Sequence, residues 1–267
     1  MFRIRDLMNL EGRTVLITGA AGELGRIFSD TIAELGGNLI LLDRLGSALN
    51  EVCSDITSRW NVKVDVFVCD LEIEDQRTAF IKEIIELGIP INVLINNAAF
   101  VGTSKLEGWN VPFEDQSLES WSRALEVNLT AAFHLCQGLM PILRQSEGAN
   151  IINVASIYGL YGPDMSLYEN LEMNNIAAYA ASKGGLIQLT RWLSTTVAPL
   201  VRVNSISPGG IFRNQPEEFV MRYSNRTPLK RMATENDFRG AITFLATDMS
   251  NYVTGQVLSV DGGWGVF

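Results

Sequence analysis

Short apolar runs of strand length alternate along this chain with longer stretches in which apolar residues recur every three or four positions. The runs fall at 14–17 (Thr-Val-Leu-Ile), 38–42 (Asn-Leu-Ile-Leu-Leu), 62–68, 91–95, 151–154, 201–206 and 256–260. After the first run, Leu24, Ile27, Phe28, Ile32 and Leu35 share one face at the 3.6-residue period of a helix. Gly36-Gly37 is a good stop for that helix, because glycine takes the left-handed conformation after a last turn at little cost. Seven strands separated by helices predict an α/β fold: a doubly wound sheet of about seven parallel strands with helices on both faces. Ligands of such sheets bind beyond the carboxyl ends of the strands, near the point where strand order reverses.

The 267 residues, 47% hydrophobic, suffice for one large core. No linker-like stretch or internal repeat divides them, so residues 1–267 are expected to form a single domain. A net charge of −9 argues against nucleic acid or an anionic membrane as partner, since such binding needs concentrated Lys and Arg. The first ten residues scatter charges among apolar positions and so lack the core of a secretory signal, and no stretch is long enough to cross a bilayer. Cys53, Cys69 and Cys136 have no paired spacing, which fits a reducing compartment and neither a disulfide framework nor a metal site. The expectation is a cytoplasmic protein.

Candidate chemistry begins directly after the first run. Thr18-Gly19-Ala20-Ala21-Gly22-Glu23-Leu24-Gly25 opens the first helix, where free backbone N–H groups and the helix dipole can receive a pyrophosphate. A tight turn with no ligand would look similar. Asp43, eighteen residues beyond Gly25, ends the second run, where a carboxylate can accept hydrogen bonds from ribose hydroxyls or, taken alone, form or cap a turn. A carboxylate there repels the extra phosphate of NADP, so Asp43 favours NAD; Arg44 beside it could pair with that phosphate, which leaves mixed use open. Asp70-Leu71 is placed to meet an adenine edge, although Asp at a strand end is also ordinary cap chemistry. Asn96-Asn97-Ala98-Ala99 combines side-chain amides with small residues, suited to close backbone approach and to a structural turn alike.

Over residues 10–263 these motifs, with Asn128, Ser156, Tyr179-Ala-Ala-Ser-Lys183, Pro208-Gly209 and Val260-Asp-Gly-Gly263, resemble the short-chain dehydrogenases/reductases of the classical, NAD(P)-binding Rossmann type. The resemblance implies an NAD-dependent oxidoreductase, NADP being the less favoured cofactor, and a homodimer or homotetramer paired through the helices carrying Asn128 and Tyr179. Two positions depart from the family pattern. Glu23 stands where glycine is usual, the middle glycine appearing one place earlier as Gly22, so a carboxylate lies near the expected pyrophosphate. Ala99 replaces another usual glycine.

Tyr179 and Lys183 lie four apart on a helical stretch and so project from one face. A free phenol has a pKa of about 10, and a neighbouring ammonium is expected to bring it toward working pH. Tyr179 could then take the proton of an alcohol, or return it in reduction. By resemblance Lys183 also holds the nicotinamide ribose, Ser156 hydrogen-bonds the substrate oxygen, Asn128 holds a water in the proton path, and Pro208-Gly209-Gly210-Ile211 forms a wall beside the nicotinamide. Singly each has a plainer reading: a strand-end cap for Ser156, a helix-bending polar residue for Asn128, a packing aromatic for Tyr179, a solvated charge for Lys183. His134, the one histidine, has no triad or metal-ligand neighbours and is assigned to packing.

Specificity is expected in three segments. Twenty-two residues separate Ser156 from Tyr179, and their insertion at 159–175 offers Tyr161, Asp164, Tyr168, Glu169 and Asn170 to a hydroxylated ligand or to a subunit contact. A second lengthening spans 100–112. After Pro208 come Arg213, Arg222, Arg226, Lys230 and Arg231, either a solvated face or a lid for a phosphate or carboxylate. The long insertion is similar to that of bacterial members acting in sugar pathways, including those for nonulosonic acids and flagellar glycans. The leading expectation is hydride transfer between NAD(H) and a small hydroxylated, sugar-like substrate. The alternatives are a reductase of acyl-thioester ketones and a non-catalytic dinucleotide sensor or scaffold.

Overall fold

The computed structural model describes residues 3–101 and 106–266. Seven strands, β1 (Thr14–Thr18), β2 (Asn38–Asp43), β3 (Val64–Val68), β4 (Val93–Asn96), β5 (Asn150–Val154), β6 (Arg202–Pro208) and β7 (Val257–Val260), form one parallel sheet in the order β3-β2-β1-β4-β5-β6-β7. The predicted strands are present with ends shifted by one or two residues. The helices are α1 (Ile4–Met8), α2 (Glu23–Glu34), α3 (Gly46–Arg59), α4 (Glu74–Leu87), α5 (Leu118–Leu125), α6 (Ala131–Leu143), α7 (Ala177–Thr196), α8 (Glu217–Arg226) and α9 (Arg239–Ala246).

Alternation along the central strands sends neighbouring residues to opposite layers. Val15, Ile17, Leu39, Leu41, Val93 and Ile95 pack with Phe28 and Ile32 of α2, Leu49 and Val52 of α3, and Ile242 and Leu245 of α9. Leu16, Ile40, Leu42, Leu94, Ile151 and Val203 face the other way, onto Phe80 and Ile84 of α4, Leu135 and Leu139 of α6, and Leu193 of α7. Both faces are therefore covered, which is why these strands read as continuous apolar runs. The chain reverses direction across the sheet between β1 and β4, and the tips of those strands open a crevice.

Packing bears on two features the sequence left open. The insertion forms a short 3-10 turn, Met165–Tyr168, whose Leu167 and Tyr168 join Ile157, Phe219, Tyr223, Met232 and Trp264 in a separate apolar cluster. Of its polar groups, Asp164 pairs with Arg226 at 3.1 Å and the Tyr168 hydroxyl meets that of Tyr158 at 2.6 Å. These side chains tie the insertion to α8 and the chain end, and none of them lines the crevice. The basic segment is largely neutralised: Arg222 pairs with Glu218, Arg226 with Asp164 while lying 4.5 Å above the Trp264 ring, and Arg231 with Asp237 at 2.6 Å. In the second lengthening, 100–112, residues 102–105 lie outside the described residues.

Candidate active site

A cleft of about 660 Å³ runs along the carboxyl ends of β1 to β6. Its volume is in the ordinary range for small-molecule sites, about 300–1,000 Å³. Gly19, Gly22, Glu23, Leu24 and Gly25 form its floor at one end, where β1 turns into α2. Gly19 has φ +64°, and a Cβ there would lie 2.7 Å from the Ala98 backbone. A Cβ on Gly25 would be 2.2 Å from the Gly19 carbonyl oxygen, so any side chain would force the turn open. The first helical hydrogen bond of α2 is donated by Arg26 to Gly22, which leaves the amides of Glu23, Leu24 and Gly25 without a carbonyl four residues back. The Glu23 side chain is exposed at the rim, in solvent. This turn suits a diphosphate, with backbone donors and helix dipole aimed into the cleft.

Asp43 ends β2 beside it. Its Oδ2 accepts from Ala21 N at 3.1 Å and its Oδ1 from Leu45 N at 3.2 Å, and the carboxylate lines the cleft. The turn-forming and ligand-facing readings thus coexist, because each oxygen keeps a lone pair for a ribose hydroxyl. Ala21 serves through this hydrogen bond and does not itself line the cleft. Arg44 lies next along the wall. Asp70 and Leu71 follow on the β3 side; Asp70 Oδ1 also accepts from Glu72 N at 3.0 Å, so it shapes its own turn. Asn97 does likewise for β4: its Nδ2 donates to the carbonyls of Thr18 at 2.9 Å and Gly19 at 3.1 Å, stapling the β1 turn to the Ala98-Ala99 wall. The donor and acceptor set, a diphosphate turn followed by a carboxylate and an apolar slot, fits a dinucleotide.

Ser156, Tyr179 and Lys183 meet at the other end. Ser156 follows β5, and its Oγ accepts from Tyr158 N at 3.2 Å. Tyr179 is half-buried on α7, with Lys183 one turn further on and its Nζ 5.8 Å from the phenol ring centre. The buried Lys183 ammonium donates to the Val154 carbonyl at 2.7 Å, and burial pushes its pKa down to about 8. Burial also raises the Tyr179 phenol above its ordinary value, opposed by a hydrogen bond from Ser156 and by the charge of Arg213. Burial, and not the expected lowering by Lys183, therefore dominates the phenol among the protein's own groups, and the ammonium is turned to the Val154 carbonyl. Pro208, Gly209 and Ile211 close this end, with the Tyr223 hydroxyl accepting from Gly210 N behind them.

Asn128 does not line the cleft. It sits in a wide π-turn, Glu126–Thr130, between α5 and α6, with Oδ1 accepting from Phe100 N at 2.6 Å and Nδ2 donating to Phe100 O at 3.2 Å and to Ser182 Oγ at 3.0 Å. The helix-bending reading of Asn128 matches this geometry, and π-turns recur beside functional sites. His134 is more than packing: its Nδ1 accepts from the Nε of Arg77 at 3.2 Å, while Arg77, 1% exposed, also pairs with Glu126 at 2.6 Å and donates to the Leu71 carbonyl.

Several cleft residues carry no motif in the sequence. Arg123 pairs with Glu72 at 2.6 Å and lies 5.1 Å above the Phe100 ring; Phe100, Val101, Leu106 and Val127 line the middle of the cleft, and Arg213 and Gln215 its far end. Only Arg213 stood in a segment singled out by charge.

A family model described as enoyl-(acyl carrier protein) reductase matches residues 19–265. The 3-oxoacyl-(acyl-carrier-protein) reductase FabG of Thermotoga maritima is 32% identical over 96% of this chain and 99% of its own. Among solved structures, a gluconate 5-dehydrogenase from Burkholderia cenocepacia in complex with NADP and tartrate superposes with a TM-score of 0.87 at 25% identity, covering 99% of this chain and 100% of that one. An NAD+-bound xylitol dehydrogenase gives 0.84 at 27%, covering 95% and 99%.

Proposed function

The chain belongs to the short-chain dehydrogenase/reductase family of NAD(P)-dependent oxidoreductases acting on alcohols and ketones, and from that premise we propose that it moves a hydride between NAD(H) and a hydroxyl or carbonyl of a small polar, sugar-like compound. The observation that carries this reading is the cleft itself, which joins the Gly19–Gly25 turn and Asp43 to Ser156, Tyr179 and Lys183 without interruption. The whole chain, 1–267, then acts as one catalytic domain. A second copy would pack on α5, α6 and α7, which expose Leu118, Trp121, Phe133 and Trp192.

The amides of Glu23, Leu24 and Gly25 would hold the diphosphate, Asp43 the adenosine ribose, Asp70 and Leu71 the adenine edge, Lys183 the second ribose, and Pro208, Gly209 and Ile211 the nicotinamide face. When bound, the nicotinamide supplies or accepts the hydride. Ser156 holds the substrate oxygen against Tyr179. A phenol raised by burial is protonated at neutral pH and is ready to deliver its proton to a carbonyl oxygen as that oxygen gains charge. In the oxidative direction Ser156 and the charge of Arg213 lower the cost of the phenolate that must take the alcohol proton. Asn128, by clamping Phe100 and Ser182, holds the π-turn under α7 and so fixes the proton path from behind.

The preference for NAD rests on the Asp43 carboxylate. The Burkholderia relative solved with NADP sets the contrary case. Calorimetric titration with NADH and NADPH decides it: NADH is expected to bind at least tenfold more tightly, and equal or reversed affinities would remove the role given to Asp43. The reading as a reductase of acyl-thioester ketones draws on the name of the Thermotoga maritima relative. Turnover of an acetoacetyl thioester faster than any sugar, sugar acid or polyol would favour it.

A further inference from the structure

The carboxylates around the cleft are confined to one half, where Arg44 and Arg123 accompany them. The carboxylates that line it, Glu23, Asp43, Asp70 and Glu72, all lie at the tips of β1 to β3, in the half assigned to the adenosine. On the Tyr179 side the charged lining groups are Lys183, buried and committed to the Val154 carbonyl, and Arg213. Resting on the oxidoreductase reading above, we propose that Arg213 is the specificity residue of the substrate half, and that the sugar-like substrate carries a carboxylate which the Arg213 guanidinium receives while its hydroxyl or carbonyl meets Ser156 and Tyr179.

Arg213 is built to present its fork. Its backbone N–H donates to Gln215 Oε1 at 2.7 Å, and Gln215 Nε2 returns to the Ile211 carbonyl at 2.8 Å, closing the loop on itself. Phe212 N donates to Ala233 O at 2.9 Å, anchoring the same loop to the chain ahead of α9. Glu235 takes the Nε edge at 3.1 Å. Among the described residues the two Nη groups have no hydrogen-bond partner, and the side chain is about half exposed, at 47%. The free Nη1/Nη2 edge can pair with a carboxylate through two parallel hydrogen bonds. The charge also reaches the reaction centre, since it is one of the two influences drawing the Tyr179 phenol down.

The same local balance selects the anion. Glu235 already offsets one positive charge, and Arg222, Arg226 and Arg231 are spent on Glu218, Asp164 and Asp237 away from the cleft. One partly compensated guanidinium matches a monoanionic carboxylate and falls short of a phosphate dianion.

The test titrates matched acids and polyols, D-gluconate with D-glucitol and L-threonate with L-threitol, into the protein with NADH present, alongside NAD+-dependent kcat/KM for each. Wild type is expected to bind an acid at least tenfold more tightly than its polyol. Arg213→Gln should lower acid affinity roughly 10- to 100-fold, the worth of a charged hydrogen-bond pair, and leave polyol affinity unchanged, while kcat falls for acids and polyols alike as the charge beside Tyr179 is lost. Arg213→Lys, which keeps the charge without the fork, should retain part of the preference, and thermal midpoints establish that both variants are folded. No preference for acids in wild type, or a preference that survives in Arg213→Gln, overturns the proposal. Because binding is read separately from turnover, a protein that binds acids through Arg213 without turning any over would refute the oxidoreductase reading alone. One that oxidises polyols with no acid preference would refute the Arg213 proposal alone.

Discussion

Replacing Lys183 by methionine exchanges a fully buried ammonium for an apolar chain of similar length. Burial lowers the amine from 10.5 to about 8, so at neutral pH the folded protein carries a charge it would hold more cheaply when unfolded. At about 1.4 kcal/mol per pH unit that difference costs about 3 kcal/mol. Against it stands the hydrogen bond to the Val154 carbonyl, whose loss returns about 1 kcal/mol. Lys183→Met is therefore expected to be more stable than wild type by about 2 kcal/mol at pH 7, while losing turnover. The pH dependence separates this cause from general repacking. Between pH 8 and 10.5 the unfolded chain binds more proton at this position than the folded one, so wild type gains stability as pH rises through that window; below it the full cost is present. The variant lacks the gain, and the two stabilities converge toward pH 10. Urea unfolding of wild type and variant without nucleotide, from pH 6.5 to 10, measures the difference directly and cancels every other titrating group. A variant less stable than wild type at pH 7, or a difference constant across the range, would refute the reasoning.

Asp43→Ala should shift the ratio of NADPH to NADH affinity upward by at least tenfold, because the repelling carboxylate is gone while Arg44 remains; an unchanged ratio measured by calorimetry would place cofactor choice elsewhere. Burial raises the thiols of Cys69 to about 11 and Cys136 to about 12, so in the native protein at pH 7.5 iodoacetamide should label Cys53 alone, and peptide mapping that finds Cys136 modified would mean the α6 layer opens readily.

The parts of the fold and site that were legible in the sequence are those set by near neighbours in the chain. The buried strands announce themselves because both faces are covered, and the Gly19–Gly25 turn because a Cβ at Gly25 would strike the Gly19 carbonyl. Asp43 and Asn97 were legible in place with a structural duty left open beside the ligand-facing one: Asp43 holds Ala21 and Leu45, and Asn97 staples two strand tips. What stayed hidden depends on partners far along the chain. Arg77 finds Glu126 and His134 on other elements, and Arg123 reaches back fifty-one residues to Glu72. The insertion held aromatic and polar residues that suited a ligand as well as a subunit contact, and its packing against Phe219, Tyr223 and Trp264 depends on residues more than fifty positions beyond Leu167 and Tyr168 that local pattern does not reveal. Likewise the basic segment read as one patch, whereas pairing with local carboxylates leaves Arg213 as its member in the cleft.

The most direct measurement is the turnover of Tyr179→Phe beside wild type, with NADH affinity measured on both. Removal of the phenolic hydroxyl takes away the proton donor and acceptor but leaves the ring packed on α7, so kcat should fall by about 10²- to 10⁴-fold with the NADH dissociation constant little changed. Equal turnover in the two proteins would contradict the role of Tyr179 as the acid and base of the reaction.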